Sequence, residues 1–165
     1  MNQLIMINGA MGVGKTATSM ALQRMLPNSV LLDGDWCWHM RPFVVTEERK
    51  RMVIDNITCL LQNFIRCGAY QSIIFCWVMP EQQIMDTILS RLNLTGTDVK
   101  LFSLIASNEA LRQRLEADIA AGVREPEVIE RSLRYQGCYA AQNTEKLDVS
   151  ALTAEQAAAV ICGRL

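Results

Sequence analysis

Asn8-Gly9-Ala10-Met11-Gly12-Val13-Gly14-Lys15-Thr16 sets three glycines, a lysine and a threonine directly behind the apolar run Leu4-Ile5-Met6-Ile7. Residues 9 to 16 fit the spacing G-x-x-x-x-G-K-[ST], the P-loop. Glycine lets a backbone curl until successive N–H groups point inward at an anion. A helix starting at that point adds its N-terminal dipole, which favours negative charge. Lys15 then reaches the outer phosphates, and the Thr16 hydroxyl can ligate Mg²⁺. The expected cofactors are therefore ATP and Mg²⁺. The expected cofactor-binding residues are Gly9, Ala10, Met11, Gly12, Val13, Gly14, Lys15, Thr16 and the adjoining Ala17.

The surroundings of the loop agree with it. An apolar strand pattern, Leu4 to Ile7, precedes it, and a helical pattern, Lys15 to Leu26, follows until Pro27 stops it. Beyond this point short apolar runs keep alternating with longer amphipathic ones. Ser29 to Leu32 reads as a second strand. Thr46 to Arg66 reads as a long helix with Thr46 as N-cap and Gly68 as its stop. Ser72 to Met79 is the most hydrophobic run and reads as a strand buried on both faces. A helix over Glu81 to Leu92 and a strand over Val99 to Ile105 follow. Next come a helix capped by Ser107 or Asn108 and running to about Ala121, and another over Glu127 to about Gln142. The last elements are a strand over Lys146 to Val149 and a helix over Thr153 to Cys162. Strands alternating with helices predict a five-stranded, parallel sheet covered on both sides, in one domain spanning residues 1–165.

Composition narrows the function classes. Half of the residues are apolar and a fifth are charged, and the net charge is −1. That balance gives no reason to expect a nucleic acid or an anionic membrane as partner. No apolar run reaches the ~20 residues of a membrane helix. The first residues enter a strand pattern without a basic leader or cleavage site, so a cytoplasmic protein is expected. Six scattered cysteines form no C-x-x-C and read as reduced, buried thiols.

A P-loop alone does not define a reaction. No Asp has Gly three residues later, as the D-x-x-G of GTPases requires, and Glu145-Lys146-Leu147-Asp148 has Glu where N-K-x-D has Asn. The third strand run ends in Trp77-Val78-Met79-Pro80, without the acidic residue of motor ATPases. Carboxylates appear instead in Asp33-Gly34-Asp35, after the second strand, where a parallel sheet lines its ligand crevice. Two residues apart on an extended chain, both can face one site. One would serve Mg²⁺, and the other would take a proton from an attacking hydroxyl. Arginines gather beyond the fourth strand: Arg112, Arg114, Arg124, Arg131 and Arg134. Arg124 lies in Ala120-Ala121-Gly122-Val123-Arg124-Glu125-Pro126, where Gly and Pro interrupt two helical patterns and a lid could close over nucleotide.

The arrangement resembles the small P-loop kinases, among them shikimate kinase, gluconate kinase, nucleotide kinases and chloramphenicol phosphotransferase. The resemblance spans nearly the whole chain: P-loop, acidic D-x-D, interhelical lid, and a Val149-Ser150-Ala151 loop near the end. Leu31 to Trp38 and Ile129 to Leu133 further resemble a group of bacterial nucleotide kinases or AAA-type ATP-binding proteins. The resemblance implies a three-layer α/β/α P-loop kinase fold with a short helical lid at about residues 114–130. It implies that Thr16 and Asp33 serve the metal, that Asp35 contacts or deprotonates the acceptor hydroxyl, and that Lys15 and Arg124 act on the transferring phosphate. Arg114 would lie against adenine, with Ser150 in the loop on its other side. Where shikimate kinases have a glycine-rich substrate loop, this chain has Trp77 to Pro80, which argues against shikimate.

The acceptor is expected to be a small metabolite, nucleoside or nucleotide. Trp36, Trp38, His39, Arg41 and Phe43 crowd the segment after the acidic pair, an aromatic and basic composition suited to a planar or anionic molecule. Trp77 is expected to fill core. The alternative function is an ATP-binding regulatory protein or slow NTPase without rapid transfer.

Overall fold

A computed structural model describes residues 2–165. Its centre is β1 (Asn2–Gly9), buried from Leu4 onward. Around it lie β2 (Ser29–Asp33), β3 (Ser72–Cys76), β4 (Thr97–Ile105) and β5 (Glu145–Asp148), in the order β2-β3-β1-β4-β5. Every pairing is parallel, as expected of strands joined through helices.

Alternation along β1 divides the core in two. Ile5 and Ile7 face a layer that includes α1 (Lys15–Met25), α4 (Asn108–Ala120), α5 (Val128–Gln136) and α6 (Ala154–Cys162). Leu4 and Met6 face α2 (Glu47–Cys67) and α3 (Gln82–Ser90). The three-layer α/β/α P-loop kinase fold follows directly from this period of two in a strand with helices on both sides. Within α2, Val53, Ile57 and Leu61 recur at four-residue spacing and are fully buried.

The helix ends follow their local chemistry. Thr46 accepts a hydrogen bond from the Arg49 amide, and Gly68 ends α2 with φ 69°. Ser107 caps α4, and Thr153 forms a capping box with Gln156 at α6. Several boundaries move by one or two residues, and two differ from the sequence reading by three or more. β3 stops at Cys76 rather than Met79: Trp77 makes the last ladder bond, to the Ile7 carbonyl, and Met79 then turns with φ 31°. The helix expected to reach Gln142 ends at Gln136 and tightens into a 3₁₀ turn over Gly137–Tyr139, where the Tyr139 hydroxyl donates to the Val78 carbonyl at 2.6 Å. Of the cysteines expected to be buried, Cys76 is; Cys59, Cys67 and Cys138 are exposed. Among the described residues no helix is long and apolar enough to cross a membrane.

One polar cluster lies inside the core. The Asn8 amide donates to Gln142 at 2.6 Å, its oxygen accepts from Ser103 at 2.6 Å, and Gln142 donates to the carbonyls of Met79 and Pro80. This cluster ties the end of β1 to the segment that leaves β3. We predict that Asn8→Ala destabilises the fold by about 1–3 kcal/mol, because Gln142 and Ser103 lose buried partners. Urea unfolding measures this; an unchanged midpoint would mean that the cluster contributes nothing net.

Candidate functional site

The loop between β1 and α1 turns on glycines. Gly12 has φ 78°, and a Cβ there would stand 2.4 Å from Leu115 of α4. The residue is therefore fixed by backbone hand and by packing together. The loop's carbonyls are held from outside. Lys15 Nζ donates to the Ala10 carbonyl at 2.9 Å, the buried Ser132 hydroxyl donates to that of Met11, and Arg114 donates to that of Val13 at 2.9 Å. The Val13 amide is taken by the Ala10 carbonyl at 3.3 Å, whereas among the described residues the amides of Gly12, Gly14, Lys15 and Thr16 have no hydrogen-bond partner, which leaves them for an anion.

Asp33 closes β2 and is 4% exposed. One of its oxygens accepts from the Thr16 hydroxyl at 2.6 Å, and the other from the Asp35 amide at 3.0 Å. Asp35 does not lie on an extended chain. Gly34–Trp38 form a 3₁₀ turn, so the two carboxylates come together by a turn and not by strand alternation. Gly34 is needed there because a Cβ would meet the Trp77 ring at 2.4 Å. The Trp77 indole N–H donates to Asp35 at 3.1 Å. Trp77 is thus buried packing and an anchor for the acidic turn at once.

The charges act on one another. Burial pushes the Lys15 ammonium down to about 8, with Arg124 acting in the same direction; the carboxylates of Asp35 and Asp33 oppose it. Burial and then the charge of Asp33 raise the Asp35 carboxyl above the ordinary range, against Lys15, the Trp77 N–H and Arg124. By surface area Asp35 is exposed, and it lines the cleft. Burial pushes the Cys76 thiol up to about 12, so it stays protonated.

These groups share a cleft of about 1150 Å³ at the carboxyl ends of β1, β2 and β3. Met11, Gly12, Gly14, Lys15, Thr16 and Ala17 line it with Asp35, Arg114 and Arg124. A smaller hollow of about 240 Å³ adjoins it, between Val13, Gly14, Thr18 and Arg114 on one side and Val149, Leu152 and Ala157 on the other. Arg114 separates the two, donating also to the carbonyls of Val149 and Leu152. Ser150 does not line the hollow. Its hydroxyl accepts from the Ser107 amide at 2.7 Å and binds Asp148 at 2.6 Å, which shapes the loop whose neighbours do.

Arg124 reaches the cleft while paired to Asp118 at 2.9 Å. The span 114–130 contains the end of α4, anchored by buried Leu115 and by Arg114, so the exposed connection proper is 121–127. Arg131 also lines the cleft, whereas Arg134 pairs with Glu130 on the surface. Of the aromatic segment, Trp38, His39 and Phe43 line the cleft; Trp36 and Arg41 do not. Sequence reasoning missed Trp77 and Ser132 as parts of this site. The position of Trp77 at the carboxyl end of a strand was the available signal; Ser132 carried none.

A family model described as AAA domain matches residues 5–132. No curated protein matches the sequence. Among solved structures, the tunicamycin resistance protein of Deinococcus radiodurans is similar with a TM-score of 0.72 and 23% identity, over 99% of this chain and 95% of that one. A gluconokinase from Sinorhizobium meliloti 1021 is similar with a TM-score of 0.67 and 15% identity, over 98% and 92%. The APS kinase of Mycobacterium tuberculosis, solved with AMPPNP and APS, is similar with a TM-score of 0.64 and 13% identity, over 98% and 96%. At these identities the likeness is one of fold.

The Trp77 bond yields a prediction that needs no ligand. Trp77→Phe keeps most of the ring bulk and removes the only donor this side chain gives to Asp35. The Asp35 carboxyl should then titrate at still higher pH, since its charged form loses a hydrogen bond. Carboxyl-carbon NMR across a pH series measures it; an unchanged or lowered titration point would contradict the anchoring role.

Proposed function

The chain belongs to the AAA domain family, and on that premise we propose that it is an ATP- and Mg²⁺-dependent phosphotransferase acting on a small acceptor. The observation that carries this is the convergence of the loop, Lys15, the Thr16–Asp33 pair, Asp35 and Arg124 at one cleft that continues beyond Asp35. A hydrolase needs only the nucleotide half. Space beyond a carboxylate of raised proton affinity is what an acceptor needs.

The roles follow from the chemistry of each group. The loop amides and Lys15 hold the triphosphate. The hollow lined by Val13, Gly14 and Thr18 together with Arg114, Val149 and Leu152 suits the flat adenine ring. Thr16 and Asp33 offer hard oxygen donors and already touch each other, so the pair fits Mg²⁺ and its water shell. Among the described residues no three His, Cys, Asp or Glu gather as a metal cage. A Mg²⁺ ion that keeps waters and takes phosphate oxygens does not require one. When bound, Mg²⁺ supplies neutralisation of phosphate charge.

Asp35 acts on the acceptor. Its carboxylate takes the hydroxyl proton as that oxygen forms its bond to the γ-phosphorus. The bond from the γ-phosphorus to the β–γ bridging oxygen breaks, and ADP leaves with the electron pair. Arg124 stabilises the charge on the transferring oxygens through its fixed donor geometry. For this it exchanges its Asp118 partner, on the exposed connection between α4 and α5, for phosphate.

Two substitutions separate binding from chemistry. Lys15→Ala should weaken ATP binding or turnover by at least about tenfold, or 1.4 kcal/mol, with the unfolding transition retained; unchanged binding by calorimetry and unchanged turnover would sink the P-loop assignment. Asp35→Asn should lower transfer to the acceptor by roughly 10²–10⁴ while ATP affinity stays close to wild type. Transfer at the wild-type rate would leave Asp35 without a proton-accepting role.

A further inference from the structure

Beyond Asp35 the cleft changes character. Its walls there are Trp38, Phe43, Val45, Ile54, Trp77 and Ile84. Phe43 is 65% exposed and Val45 50% exposed, although both line the cleft, so apolar surface at its mouth stands open to water. The Trp38 and Phe43 rings lie 5.9 Å apart at 55°, an aromatic corner with one side uncovered. Monomeric proteins seldom leave contiguous apolar surface inside a concave site unless something covers it.

The charges are distributed against an anionic occupant. Lys15 and Arg124 act on Asp35 and mark the phosphate end, and Arg131 lines the same cleft. Among the apolar walls stand Lys50 and Glu81, of opposite sign, with His39 next to Trp38 in sequence; Lys50 is paired with Glu47 at 2.8 Å. Arg49, close by in sequence, donates to the Val44 carbonyl at 2.8 Å. A carboxylate or phosphate on the acceptor would meet Glu81 as well as Lys50, so this wall offers an anion little net attraction. A polyhydroxylated sugar would fare little better, because indole, phenyl and aliphatic walls leave most of its hydroxyls unpaired.

We propose that the acceptor is a neutral molecule with an apolar, ring-bearing body and a single hydroxyl presented to Asp35. The inference rests on the phosphotransferase reading for the fate of that hydroxyl. Of the planar or anionic acceptor suggested by composition it keeps the planar body and drops the charge, because Arg41 lies outside the cleft while Trp38, Phe43 and Trp77 lie within it. In the transfer the hydroxyl oxygen gains the phosphoryl group, its proton passes to Asp35, and ADP is the leaving group.

The test uses the full chain saturated with MgADP. Calorimetry compares 3-phenylpropan-1-ol, a neutral aryl alcohol, with gluconate, glucose and adenosine monophosphate. The aryl alcohol should bind at least about tenfold more tightly than any of the other three. The double substitution Phe43→Ser with Val45→Ser changes exposed residues that the core does not need. It should weaken the aryl alcohol by about tenfold and leave MgADP affinity unchanged. Equal or tighter binding of a comparator, no binding of the aryl alcohol up to its solubility, or indifference to the double substitution would each overturn the inference. MgADP binding is read separately in the same titrations. If MgADP fails to bind while the aryl alcohol binds, the phosphotransferase reading falls and the apolar site stands. If MgADP binds and the aryl alcohol does not, only the apolar acceptor falls.

Discussion

The carbonyls of residues 10, 11 and 13 are each taken by a side chain, from Lys15, Ser132 and Arg114 respectively. A glycine-rich loop left to itself loses much conformational entropy on ordering and has many alternatives. Here three donors from two other helices and the loop's own lysine select one of them. The loop is thereby held in one conformation before an anion arrives. The core supports the same arrangement: Leu115 of α4 fills the space that Gly12 leaves and is itself fully buried. Sheet, helices and site are therefore coupled through the loop.

The two carboxylates of Asp33-Gly34-Asp35 illustrate how environment divides identical groups. Asp33 is enclosed and satisfied, by a hydroxyl on one oxygen and an amide on the other. Asp35 is open to the cleft and holds one indole N–H, with Asp33 beside it raising its proton affinity. The first is suited to holding, the second to exchanging a proton. The cleft is divided in the same way, with cations and amides at one end and apolar walls at the other. Such a division suits a reaction that joins a polyanion to an uncharged partner.

Much of this was legible in the sequence because it is local. The P-loop, the Thr46 cap, the Gly68 stop and the strand–helix alternation all depend on residues within a few positions of one another. The parallel sheet followed from that alternation. What escaped depends on contacts across the chain. Trp77 meets Asp35 over 42 positions and Ser132 meets Met11 over 121, and no periodicity announces either. The early end of β3 has the same origin: Trp77, Val78 and Met79 are apolar enough for a strand, but Asp35, Tyr139 and Gln142 draw them off the sheet. Ser150 was expected beside adenine, yet its hydroxyl is spent on Asp148 and on the Ser107 amide at the start of α4.

Burial holds the Lys15 ammonium down to about 8, and in the proposed reaction this group meets the phosphates of a nucleotide. Polyanion binding favours the charged ammonium, so binding at pH 8 should draw protons from solution. MgADP is the suitable ligand, since its phosphates are already fully ionised at that pH and no transfer can follow. Calorimetric titration in two buffers of different ionisation enthalpy gives the number of protons exchanged. Net proton uptake, a fraction of one proton per MgADP, should accompany binding, because burial lowers the Lys15 pKa toward that pH, and Lys15→Ala should abolish the uptake. No uptake in the wild-type protein, or the same uptake in the variant, would contradict the account.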